Sequence, residues 1–117
     1  MTLINKAREI GVDIPVQLFN GTGEYHYYDT NTQVIMLDSN ARIDLESIVH
    51  EYTHRLQLVN GYSKLVIEEL NNTPYSKRKH EMHAEFVATH LDEFLTEDNK
   101  LNIEDIMSFF DMIIEHM

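Results

Sequence analysis

Cysteine is absent from the 117-residue sequence. That excludes a disulfide scaffold, a thiolate metal site and a cysteine nucleophile. Long apolar runs are missing as well: no stretch of the sequence approaches the roughly 18 consecutive apolar residues that a membrane span needs. Met1 to Ile10 has no basic flank, apolar core or small-residue cleavage site, so a secretory signal is not expected and a cytoplasmic location is. Basic residues are scarce, with nine Lys and Arg against twenty Asp and Glu and a formal charge of −11. Duplex nucleic acid is therefore not an expected direct partner, because phosphate binding needs a basic surface. Neither an internal repeat, a low-complexity tract nor a composition break divides the chain, and residues 1–117 read as a single domain.

The acidic excess is uneven. From Asp92 to Met117, eight acids are opposed by Lys100 alone, a net charge of −7. A solvated face on the last helices explains such a run; a partner-binding surface is the sharper alternative.

Local patterns predict an α+β fold. Leu3 to Ile10 reads as a short helix stopped by Gly11. Pro15–Phe19, Glu24–Asp29 and Gln33–Leu37 read as strands of a small antiparallel three-stranded meander, with turns at Gly21-Thr22-Gly23 and Asp29–Thr32. From Ala41 the period becomes helical: Leu45, Ile48, Val49, Tyr52, Leu56 and Val59 form one stripe, and Gly61 supplies a stop. A short helix follows from Ser63 to Leu70. Thr73-Pro74 is a start signal for a helix to about Leu95. Asn102, with Asp105 three residues on, starts the last helix, whose stripe is Ile103, Ile106, Met107, Phe110, Ile113, Ile114 and Met117. The expected order is an N-terminal helix, the sheet, the central helix and two to three more.

Seven histidines are the unusual count, and two stand in His50-Glu51-Tyr52-Thr53-His54, an H-E-x-x-H sequence inside the central helix. Four residues make a little over one turn, so both imidazoles project from one face and can grip one metal ion. Glu51 lies about 100° around the helix from His50, placed to reach a water on the metal rather than to ligate. Both histidines lie on the flank opposite the apolar stripe. Zn2+ is the expected ion, since it takes imidazole and carboxylate and tolerates an open fourth position. A third ligand is expected from the helix of residues 74–95. There the apolar arc leaves His83, His80 and Glu81 in play, while Glu85 points to solvent.

H-E-x-x-H followed some thirty residues later by His83-Ala84-Glu85-Phe86-Val87-Ala88 resembles the ImmA/IrrE family of small zinc metallopeptidases, common on phages and mobile elements. The resemblance covers about residues 15–95 and implies a minimal zincin-like domain. That family has a Glu immediately before the Ala as third ligand; here His83 holds the position, which also resembles the SprT-like zincins. Implied are a Zn2+ site of His50, His54 and His83, Glu51 as general base, and a protein or peptide substrate. Tyr75, Tyr25, Tyr27 and Tyr28 are candidates to stabilise charge on the scissile carbonyl, and an edge strand could align an extended substrate. The alternative from another class is a non-catalytic zincin-fold protein whose acidic C-terminal surface binds a regulator or nuclease.

Overall fold

The computed structural model describes residues 2–116; Met117, expected to close the last apolar stripe, lies outside them, as does Met1. Helix α1 (Thr2–Glu9) is followed by strands β1 (Val16–Phe19), β2 (Tyr27–Asp29) and β3 (Val34–Asp38). Helices α2 (Leu45–Gln57), α3 (Ser63–Asn72), α4 (Lys79–Thr89) and α5 (Ile103–His116) complete the order.

The sheet corrects the expected meander. Its order is β1-β3-β2, with β1 parallel to β3 and only β2 antiparallel to it. The β2–β3 hairpin forms as expected. Asp29 Oδ1 accepts from the Asn31 and Thr32 amides at 2.9 and 3.2 Å, and Gln33, at φ 58°, turns the chain back. Between β1 and β2 the chain instead passes through a loop held by Asp38, whose carboxylate accepts from the amides of Gly21 (3.1 Å) and Gly23 (2.6 Å). Carrying the chain through that loop lets β1 join the far side of β3. The central strand is buried at Val34, Ile35, Leu37 and Asp38, as suits a strand paired on both edges.

Helix α2 begins with a capping box: Asp44 Oδ1 accepts from the Ser47 amide at 2.9 Å, and the Asp44 amide donates to Ser47 Oγ at 3.3 Å. It ends in one wide turn, Leu58–Tyr62, where Asn60 and Gly61 leave helical geometry; Gly61 sits at φ 97°, a conformation that costs glycine little. The helix expected over 74–95 is three pieces: a 3-10 turn at Tyr75–Lys77, α4, and a second 3-10 turn at Leu91–Phe94. Thr73 precedes a proline, which favours extended backbone; it adopts φ −127°, ψ 130° and closes α3 instead of capping α4.

One core joins α1, the sheet and the helices through Ala7, Ile35, Leu37, Ile48, Val49, Leu56, Val87 and Ile106. On α5, Ile106, Phe110 and Ile113 are buried. All eight acids between Asp92 and Glu115 are exposed, so they form a solvated face. No helix among the described residues is long and apolar enough to cross a membrane.

Candidate metal centre

Helices α2 and α4 make the most extensive helix–helix contact of the fold, and the site lies on it. Because α2 buries Ile48, Val49, Tyr52 and Leu56 in the core, its His50 and His54 side are turned toward the first turn of α4. The two imidazoles stand edge to face with centroids 5.0 Å apart. Both aim Nε2 at one oxygen: Glu81 Oε1 lies 3.1 Å from His50 Nε2 and 2.9 Å from His54 Nε2. All three side chains are mostly buried, at 15%, 15% and 17% exposure.

Two imidazole nitrogens and one carboxylate oxygen fit zinc in kind. An ion about 2 Å from each of three donors needs them roughly 3–4 Å apart, and these three all lie within 4.8 Å of one another. Glu81 is thus the third member of the group, one of the three positions the apolar arc leaves open.

His83 is not brought to this group. It is fully buried on the opposite side of α4, with Nε2 2.8 Å from the Ile106 carbonyl and Nδ1 2.8 Å from Gln57 Nε2. Its ring stacks on Phe110 at 4.4 Å and 9°. The reason is angular: residues two apart on a helix lie about 200° around it from each other, so His83 cannot share the face of Glu81 and packs instead between α5 and Gln57 at the end of α2. Burial pushes the His83 imidazole down to about 4, against a smaller upward pull from its bond to the Ile106 carbonyl. His80 is also buried; Nδ1 lies 2.7 Å from Glu69 Oε1, and Nε2 is 3.6 Å from Glu81 Oε2, a charge contact too long for a hydrogen bond. Glu85, though 65% exposed, reaches back to His50 Nδ1 at 3.1 Å.

Burial alone would lower the His50 and His54 pKa values, but hydrogen bonds to Glu81 and the neighbouring carboxylates outweigh it and both are raised. Burial would raise Glu81; its bonds to the two imidazoles hold it instead far below the ordinary carboxylate range. Glu51 differs from Glu81. Burial raises its pKa, the positive charge of His54 and His50 opposes this, and Glu81 adds to it. It forms no ion pair with either imidazole among the described residues, and it lines the cleft beside them.

That cleft has a volume of about 360 Å³, with His50, Glu51, His54 and Glu81 on one side and Tyr25, Tyr27, Tyr28, Leu58, Val66, Leu70 and Tyr75 around them. A second cleft of about 350 Å³ also reaches His50, Glu51, Tyr25 and Tyr75. All four tyrosines singled out in the sequence thus line the site. Tyr28 Oη accepts from Arg55 Nη1 at 3.0 Å, whereas Tyr75 lines both clefts and is 62% exposed.

Two further residues escape a reading of the sequence. Gln57, fully buried, accepts from His54 Nδ1 at 2.9 Å. His26 Nε2 donates to the Arg42 carbonyl (2.7 Å) and its Nδ1 accepts from the Asp38 amide (2.9 Å), tying the β2 approach to the start of α2. Gln57 lies one turn beyond the motif, on the same helix as His54, which is the signal that marks it; His26 carries no spacing signal.

The chain matches no protein-family model, no curated protein and no solved structure. Its chemistry must be read from its own residues.

Proposed function

We propose that the protein is a zinc-dependent metallopeptidase of zincin type, hydrolysing peptide bonds of a protein or peptide substrate. His50, His54 and Glu81 would hold the ion and Glu51 would act as general base. The reading fits the resemblance to the ImmA/IrrE peptidases in using a carboxylate as third ligand, two positions before the one the resemblance implies. A zinc ion held there supplies Lewis acidity and lowers the pKa of a coordinated water to about 7.

The observation that carries the reading is the contrast between the two buried glutamates. Glu81 is committed to the imidazoles, while Glu51 lines the open cleft with its pKa raised by burial. A carboxylate tuned upward is the stronger base, and its pKa moves toward the working pH, where the same group is still acidic enough to hand the proton on to an amine nitrogen. Glu51 takes one proton from the attacking water as oxygen adds to the carbonyl carbon. It then delivers that proton to the departing nitrogen as the C–N bond breaks. Among the four cleft tyrosines, Tyr75 would donate to the carbonyl oxygen as charge develops; it lines the cleft and is 62% exposed. Among the described residues the edge strand β2 pairs with β3 alone, and its Tyr27 and Tyr28 line the cleft. An extended peptide can add to that edge by main-chain hydrogen bonds.

The test compares wild type and Glu51→Gln, at matched zinc content, on an unfolded protein and on a mixed peptide library. Loss of general-base help costs typically ~10²–10⁴-fold in rate, with zinc binding kept. Equal cleavage by the two proteins would remove Glu51 from the reaction. Zinc-loaded wild type that cleaves nothing would overturn hydrolysis and favour a binding protein built on the same scaffold.

A further inference from the structure

We propose that Gln57 and His83 form a buried hydrogen-bond relay, anchored on α5, that fixes the tautomer of His54 and presents its Nε2 lone pair to the metal. The proposal rests on the metal-centre reading above and adds two positioning residues to it.

Two backbone carbonyls fix the direction of every bond. A carbonyl can only accept, so His83 Nε2, 2.8 Å from the Ile106 oxygen, must carry its proton. The Gln57 atom 2.9 Å from the His80 carbonyl must for the same reason be the amide nitrogen. That nitrogen has a second hydrogen to donate, and the unprotonated Nδ1 of neutral His83 receives it at 2.8 Å. Gln57 Oε1 is then left facing His54 Nδ1 at 2.9 Å, and an amide oxygen there demands a proton on Nδ1. His54 Nε2 becomes the atom free to coordinate, and it is the atom aimed at Glu81. Turning the amide over would set oxygen against the His80 carbonyl and place the proton on the wrong nitrogen of His54.

The relay is dry and stiff. Gln57 and His83 are fully buried, and the stack on Phe110 fixes the plane of the His83 ring. His50 has a different partner for its Nδ1, the exposed Glu85 at 3.1 Å, where water competes. A histidine ligand whose far nitrogen is held by a buried donor–acceptor chain keeps its ring orientation and tautomer before the ion arrives.

The test is zinc affinity by competition with a chelating dye. Gln57→Leu should weaken binding about 10–100-fold, the range for loss of a partner behind a histidine ligand. Val87→Ala, a cavity variant of the same core on α4, should lose stability but keep affinity within about threefold. Affinity unchanged in folded Gln57→Leu, or lost equally in Val87→Ala, would overturn the relay. Nitrogen-detected NMR of the zinc-loaded wild type gives a test independent of any variant. The His83 proton should sit on Nε2 and the His54 proton on Nδ1, both slow to exchange; a proton on His83 Nδ1 would overturn the proposal. Wild type that binds no zinc would instead remove the metal-centre reading, and the relay's purpose with it.

Discussion

Acid should unfold the metal-free protein partly through His83. Its ring is fully buried and its pKa is held down to about 4, against the ordinary 6.5, chiefly because burial penalises the charged form. A histidine whose folded pKa is lowered contributes stability that is fully present above the unfolded value. That contribution is lost as pH falls from 6.5 toward 4, because the unfolded chain takes up a proton that the folded chain refuses. With those two values the linkage integral gives about 2 kcal/mol lost between pH 7 and pH 5, and about 3 kcal/mol once the pH is below 4. His50 and His54 act in the opposite sense: their pKa values are raised, so their contribution is full below 6.5 and is lost as pH rises through the folded values. The clean measurement is therefore a difference. Urea unfolding of wild type and His83→Phe, both in chelator, is compared at pH 7 and pH 5. Phe keeps the stack on Phe110 but leaves the Ile106 carbonyl without its side-chain donor and one Gln57 amide hydrogen without its acceptor, so the variant starts weaker by about 1–3 kcal/mol for each group left unpaired. From there, wild type should lose about 2 kcal/mol more than the variant on acidification. Parallel losses in the two proteins would refute the claim that His83 is held neutral by burial.

In the proposed metal site zinc would compete with protons for His50 and His54, whose pKa values are raised above the ordinary imidazole value. Affinity measured against a chelator should fall more than about tenfold between pH 8 and pH 6, and a flat profile would argue against imidazole ligation. Glu81→Gln should weaken zinc binding far more than Glu85→Gln, because Glu81 contacts both imidazoles from a buried position while Glu85 is largely exposed; titration calorimetry of the two variants decides it.

Central helix α2 was the most legible part of the molecule. Its apolar stripe from Ile48 to Leu56 and the H-E-x-x-H spacing follow from the helical repeat, whereas Val59, expected in the same stripe, falls in the wide turn and is 57% exposed. Strand positions were nearly as readable, but their pairing was not. Alternation says which face of a strand is buried and nothing about its partner, so the parallel pairing of β1 with β3 was invisible. The unbroken run Val34-Ile35-Met36-Leu37 does carry the mark of a central strand, and it was the available clue. The third member of the metal group shows a different limit. His83 and Glu81 sit at the two edges of one arc, and only the docking separates them: the His50–His54 turn of α2 meets Glu81, while His83 meets α5 and the last residue of α2. Helix α4 itself was overextended at both ends, because Thr73-Pro74 satisfies a start pattern that the extended backbone before proline does not use.

Helix α4 has no side-chain cap of its own at Arg78. The carboxylate of Glu69, ten residues back on α3, accepts from the Lys79 and His80 amides at 2.7 and 3.0 Å and pairs with His80 Nδ1. Its pKa is lowered because these bonds outweigh the cost of burial. The segment between them, whose Tyr75 lines the cleft, is thus a short strap pinned at both ends. Lengthening such a strap is cheap, since doubling a loop adds only about 0.6 kcal/mol of closure entropy, and Glu81 keeps its place as long as Glu69 still clasps the start of α4. The residues that line the cleft from this strap can therefore change in number and kind while the start of α4, and Glu81 with it, stays fixed.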